Sequence, residues 1–87
     1  VADQAIDATT TGFKVVDDRT LKLTFDVHKP PQVAVVCTVH AQDRKKNVVG
    51  TLSVDIPAAT ERTTTHEVLI KTTTQAFAGL VHDCVRR

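Results

Sequence analysis

Few side chains in this 87-residue chain could do chemistry: Cys37 in "VVCTVHAQ" and Cys84 in "LVHDC", the histidines 28, 40, 66 and 82, the lone Ser53, the Asp17–Asp18 pair, and the basic run Arg44, Lys45, Lys46. Two cysteines with none left over is the count expected of an exported domain, and a bond between them would close a loop worth about 4 kcal/mol in the chain-entropy view. That crosslink is the favoured reading. Its alternative is a pair of buried free thiols acting as small hydrophobes, as in many cytosolic proteins.

Metal and nucleophile readings fare worse. "CTVH" and "HDC" together offer two cysteines and two histidines, but residues three apart in a strand point to opposite faces, so Cys37 and His40 cannot share an ion. Cys37, Cys84 and His82 would leave a zinc set incomplete. Cys37 falls on an apolar face, which raises a thiol pKa and blunts the nucleophile. Ser53 lies mid-strand, outside any Gly-x-Ser-x-Gly turn. Asp17 and Asp18 sit beside Arg19 in "DDRT", which suits a solvated turn. His28 and His40 fall on outward faces, and His66 on an inward one, where a structural role suffices. The expectation is no enzyme, no cofactor and no metal.

Net charge is +1 and the only aromatics besides histidine are three phenylalanines. That excludes both the basic stripe and the stacking platform that nucleic-acid binding requires. Arg44, Lys45 and Lys46 remain as a candidate interaction tip.

The elements that must position these groups are strands. Valine and threonine together supply 28 of 87 residues, and β-branched side chains favour the pleated state. "FKVV" reads as a first strand after a polar arm over residues 1–11. In "TLKLTFDVH", Leu21, Leu23, Phe25 and Val27 oppose Lys22, Thr24, Asp26 and His28. The prolines of "KPPQ" end that strand. Residues 33–42 put Val35, Cys37, Val39 and Ala41 inward, with a half-apolar second face that predicts a central position. "DRKKN" is a hairpin tip. A fourth strand follows with Leu52, Val54 and Ile56 inward, then a fifth with Thr64, His66, Val68 and Ile70 inward. Val36, Val49 and Leu69 are expected outside, where they and the sheet edges are open to a partner.

The last strand, 75–85, has conflicting parity, because Cys84 and the larger Phe77 and Val81 fall on opposite faces. A β-bulge near His82 would bring Phe77, Val81 and Cys84 all inward. Together these features predict an all-β domain over 12–87: a small antiparallel β-sandwich of immunoglobulin or fibronectin type III kind with about six strands and one disulfide, or else a small barrel. The longest apolar run, "VAVVC", is far short of a membrane span. The chain starts at Val1, so a signal or anchor upstream of it is compatible with the sequence.

The phrases "GFKVVDDRTLKLTFDV", "AVVCTVHAQD", "VVG", "ERTTTHEV", "KTTTQAFAGLV" and the final "C" resemble an uncharacterised actinobacterial family of mycobacteria and corynebacteria. Its members look like short single-pass membrane proteins with an N-terminal helix and a small extracytoplasmic domain of unknown function. The resemblance spans Gly12 to Cys84, and it implies that Cys37 and Cys84 occupy the family's cysteine positions and that the helix lies upstream of Val1. It carries no activity. The expectation is a non-catalytic domain on the extracytoplasmic side of the cell membrane, engaging an unidentified envelope protein and no nucleic acid. The alternative is a metal- or small-ligand-binding module that uses the histidines near Cys84.

Overall fold

Thr20–His28 alternates large apolar and polar side chains without a break, and the computed structural model, which describes residues 6–87, makes it the middle strand of a sheet. The strands are β1 (Asp7–Asp17), β2 (Thr20–His28), β3 (Val35–Gln42), β4 (Val48–Ile56), β5 (Thr63–Lys71) and β6 (Ala78–Arg86), with no helix among the described residues. They form two antiparallel three-stranded sheets, ordered β1-β2-β5 and β4-β3-β6. The chain passes from one sheet to the other after β2, after β4 and after β5. This is the expected all-β sandwich, with β3 central in its sheet.

The core is the sum of two alternations. Leu21, Leu23, Phe25 and Val27 of β2 face Val35, Cys37, Val39 and Ala41 of β3, all of them solvent-inaccessible, and Ile56, Ile70 and Ala76 close the sides. Each such aliphatic or aromatic side chain contributes about 1.5–3 kcal/mol when removed from water. Two glycines let the sheets approach. A Cβ on Gly79 would lie 2.6 Å from Leu21 Cδ2, and one on Gly50 would lie 2.5 Å from the Lys71 carbonyl oxygen.

β1 is longer than its periodicity suggests. Residues 7–11, expected to belong to the polar arm, pair with β2 from Asp7↔His28 onward, while residues 1–5 of that arm lie outside the described residues. The alternation is hidden by two register shifts, where Thr11 and Val16 are extra residues opposite a regular β2. Each shift resets the parity by one. On the resulting register Ala8, Thr10, Phe13 and Val15 share the inner side of β2's Val27, Phe25, Leu23 and Leu21.

Other departures have the same cause. Val49 was expected to point outward, but it is an extra residue between the pairs Ala41↔Gly50 and Gln42↔Val48 and packs on the core, leaving Val48 exposed. In β6 the shift falls where the parity conflict requires it: Thr38 pairs Asp83 and Val39 pairs Val81, so His82 is the extra residue and Val81 and Cys84 both pack on the core. Phe77 does not follow them inside. β6 begins only at Ala78; at Phe77 the backbone N–H donates to the Gln42 carbonyl (2.7 Å), the chain turns, and Ala76 plugs the core in its place.

Candidate binding cleft at the hairpin pole

One end of the sandwich, the hairpin pole, gathers the β1–β2 turn, the β3–β4 hairpin and the 72–77 connection. The opposite end, the crossover pole, carries residues 29–34 and 57–62. Backbone bonds knit the hairpin pole together: Thr72 N–H donates to the Arg19 carbonyl and Thr73 N–H to that of Val49, each at 2.9 Å.

Asp43 builds the hairpin tip. Its Oδ1 accepts from the backbone N–H of Lys45 (2.8 Å) and of Asn47 (3.0 Å), and its Oδ2 from the Asn47 side-chain amide (3.2 Å). The Asn47 backbone bond, with these others, holds the Asp43 carboxyl below its usual pKa. Lys46 then takes the left-handed conformation, φ 67°, that closes the turn. With the carboxylate committed to its own loop, Arg44 is free to lie over the ring of Phe77, 5.3 Å from its centroid. At an exposed site such a contact contributes about 0.5–1 kcal/mol.

Beside this pair opens a cleft of about 720 Å³, lined by Val15, Asp43, Arg44, Lys45, Asn47, Gln75, Ala76 and Phe77. Its floor is apolar and one wall is cationic. Neither Arg44 nor Lys45 forms an ion pair among the described residues. Of the three residues expected to form the tip, Arg44 and Lys45 line the cleft and Lys46 does not. Phe77, 56% exposed, and Val15 were missed. The available signal was the unresolved parity of Phe77; nothing in the local pattern of β1 placed Val15 beside it.

The other candidates resolve as follows. Cys37 and Cys84 face each other across β3 and β6 and are bonded, S–S 2.03 Å, with Cα atoms 4.0 Å apart. The bond lies within one sheet, unlike the inter-sheet bridge of antibody domains. The bulge also turns His82 outward, where its ring stacks on His40 at 4.7 Å between centroids and 17° between planes. Lone pairs lie in the ring planes, so stacked rings do not aim at one ion, and the disulfide withdraws both sulfurs. Among the described residues no three histidine, cysteine or acidic side chains converge on a metal position. The metal form of the ligand-module alternative therefore finds no donor set among the described residues. Ser53 is exposed mid-strand. His66 is half-buried against Phe25, 5.7 Å between centroids, and its Nε2 meets the Thr64 hydroxyl at 2.7 Å. Burial, then the charge of Lys29, push its pKa down, against a smaller upward pull from Asp26.

Lys29 was not singled out by sequence. It follows β2 directly, keeps the inward parity of Val27, and is fully buried, with no hydrogen-bond partner for Nζ among the described residues. Its backbone N–H donates to the Arg62 carbonyl at 2.8 Å, which holds the residue in place.

No curated protein matches this sequence closely enough to count as a relative. The pattern of one family, however, matches residues 1–84, nearly the whole chain, with the same strand phrases and both cysteines inside the match. The chain belongs to the family described as "Domain of unknown function (DUF4307)".

Proposed function

We propose that this chain is a non-catalytic extracytoplasmic domain of a membrane-anchored cell-envelope protein in actinobacteria, and that it holds a protein partner through the hairpin-pole cleft. The observation that carries the reading is the cleft itself, where an exposed phenylalanine lies under an arginine with no ion-pair partner among the described residues, at the end of the sandwich. Exposed aromatic and arginine side chains together are the commonest anchors of protein interfaces. The disulfide supports a location outside the reducing cytosol. The resemblance of the quoted strand phrases supports the membrane anchor and the actinobacterial setting. A lack of catalysis is supported by the position of Ser53 on an open strand and by sulfurs tied to each other. β1 enters at the crossover pole, so a tether on its N-terminal side leaves the cleft facing away from the attachment.

The test is site-specific photocrosslinking of the full-length protein in its native cell. A photoreactive residue at position 77 is expected to give a discrete protein adduct, and one at Glu61, at the other pole, none. Adducts of equal yield from both positions, or none from position 77, would reject the cleft as the working surface. Digestion of the domain by external protease only after the cell wall is opened checks the location.

A further inference from the structure

Resting on that reading, we infer that the cleft receives an acidic polypeptide segment that carries an apolar side chain next to its carboxylates. Its volume, about 720 Å³, falls in the range of pockets that enclose a few side chains. The floor of Val15, Ala76 and Phe77 offers an apolar surface, and the wall offers Arg44 and Lys45 with no ion-pair partner among the described residues. The other polar groups of the lining are largely spent. Asp43 and Asn47 bond each other, and the Gln75 amide donates to the Ala76 carbonyl at 3.1 Å. What is left, beside an apolar floor, is two cations against one carboxylate, Asp43, which already draws on Lys45 and is held by its own loop. An occupant that supplies negative charge and a hydrophobic group within one side chain's reach of each other fits that excess.

The pole also shows why the charge comes on a peptide and not on a bilayer. Asp17 and Asp18 share this end with Arg19, Arg44, Lys45, Lys46 and Lys71, and Asp43 forms part of the cleft wall. A flat anionic surface must meet all of these groups at once, and repulsion from the three carboxylates offsets part of the attraction. A chain segment entering a concavity can set its own carboxylates against Arg44 and Lys45 and turn its apolar side chains to the floor, away from Asp43, whose oxygens accept from the loop N–H groups. Arg44, preoriented on the Phe77 ring, keeps its guanidinium edge open for a two-pronged bond to a carboxylate.

The experiment uses the oxidised domain and a fluorescent, end-blocked heptapeptide of glutamates spaced by leucine and phenylalanine, read by anisotropy. Saturable binding is expected, weakening with added salt. Arg44→Glu combined with Lys45→Glu should weaken it by about tenfold or more, and Phe77→Ser by about fivefold. Leu69→Ser, on the outer face of β5, should leave it unchanged. All variants replace exposed side chains, and equal melting temperatures verify that they fold. The inference is overturned if the peptide does not bind, if a lysine-for-glutamate peptide binds as well, if the charge-reversed variant binds unchanged, or if phosphatidylglycerol vesicles bind and the peptide does not. A failed peptide together with a protein adduct from position 77 sinks only the partner chemistry. An absent adduct sinks the interaction reading itself.

Discussion

The two poles treat their cations in opposite ways. At the crossover pole strand parity carries one residue past the end of β2, and Lys29 is drawn into the interior with no hydrogen-bond partner among the described residues. At the hairpin pole an aspartate-built turn sends Arg44 and Lys45 outward, and Phe77 comes out with them. The pole that buries a charge is also the one nearer the disulfide, since Cys37 and Cys84 lie close to the start of β3 and the end of β6. The hairpin pole is held by a close approach of backbone at Gly50. A covalent clamp tolerates an unfavourable interior group nearby, whereas a clefted end depends on fit.

That contrast is broken most severely by removing the clamp. Cys37→Ala with Cys84→Ala should cost about 4 kcal/mol in urea unfolding, from release of the loop constraint, and reduction of the parent should reproduce it. A loss confined to a few tenths would mean that the crossover pole does not rely on the bond. Next in size is Lys29→Met, which keeps the methylene stem and removes the buried amine; it should raise stability by about 1–3 kcal/mol. Arg44→Met at the exposed pole should cost no more than about 1 kcal/mol, the size of its contact with Phe77. If Lys29→Met is neutral or destabilising, the buried amine is not a cost.

Gly50→Ala sharpens the comparison from the other end. The neighbour of the new methyl is the Lys71 carbonyl oxygen, 2.5 Å away, and backbone yields poorly, so a loss of about 1–3 kcal/mol is expected. Gly12→Ala, with no atom within 4 Å of its Cβ, should change stability by less than about 1 kcal/mol. The smallest effect is one of pH. His66 has a folded-state pKa lowered from 6.5, so the unfolded chain binds its proton first as pH falls below about 6.5 and stability declines there. The carboxyls of Asp17 and Asp43, lowered from 3.8, add a second decline below that value by the same sign. His66→Gln should remove the upper decline and leave the lower one, as read by melting temperature between pH 7 and pH 3.

What could be read from the residues follows where the ladders are regular. β2 and β5 pair without a shift, and the inward sets Leu21 to Val27 and Thr64 to Ile70 follow from counting by two. β1 contains two extra residues and β4 and β6 one each, and a bulge is invisible to periodicity unless two side chains make contradictory demands. Cys84 and Val81 did so, which placed the shift near His82. Thr11 and Val49 made none, so the start of β1 and the facing of Val49 were misread. The disulfide followed from an even cysteine count, and the cationic half of the cleft from "DRKK". Its apolar half joins Val15 to Phe77, residues far apart in sequence that only the stacking of the two sheets brings together. Lys29 was hidden by the prolines behind it, which mark a strand's end but say nothing of where the last side chain before them points.

Because the sulfur bond joins neighbours in one sheet, it also fixes how the chain answers to force. A pull between the two ends runs along residues before Cys37, through the bond, and out after Cys84, bypassing the 47 residue steps between them. About 160 Å of contour is thereby withheld from extension. Oxidised, the stretched domain can pay out β1 and β2 and then stops; reduced, it unravels throughout.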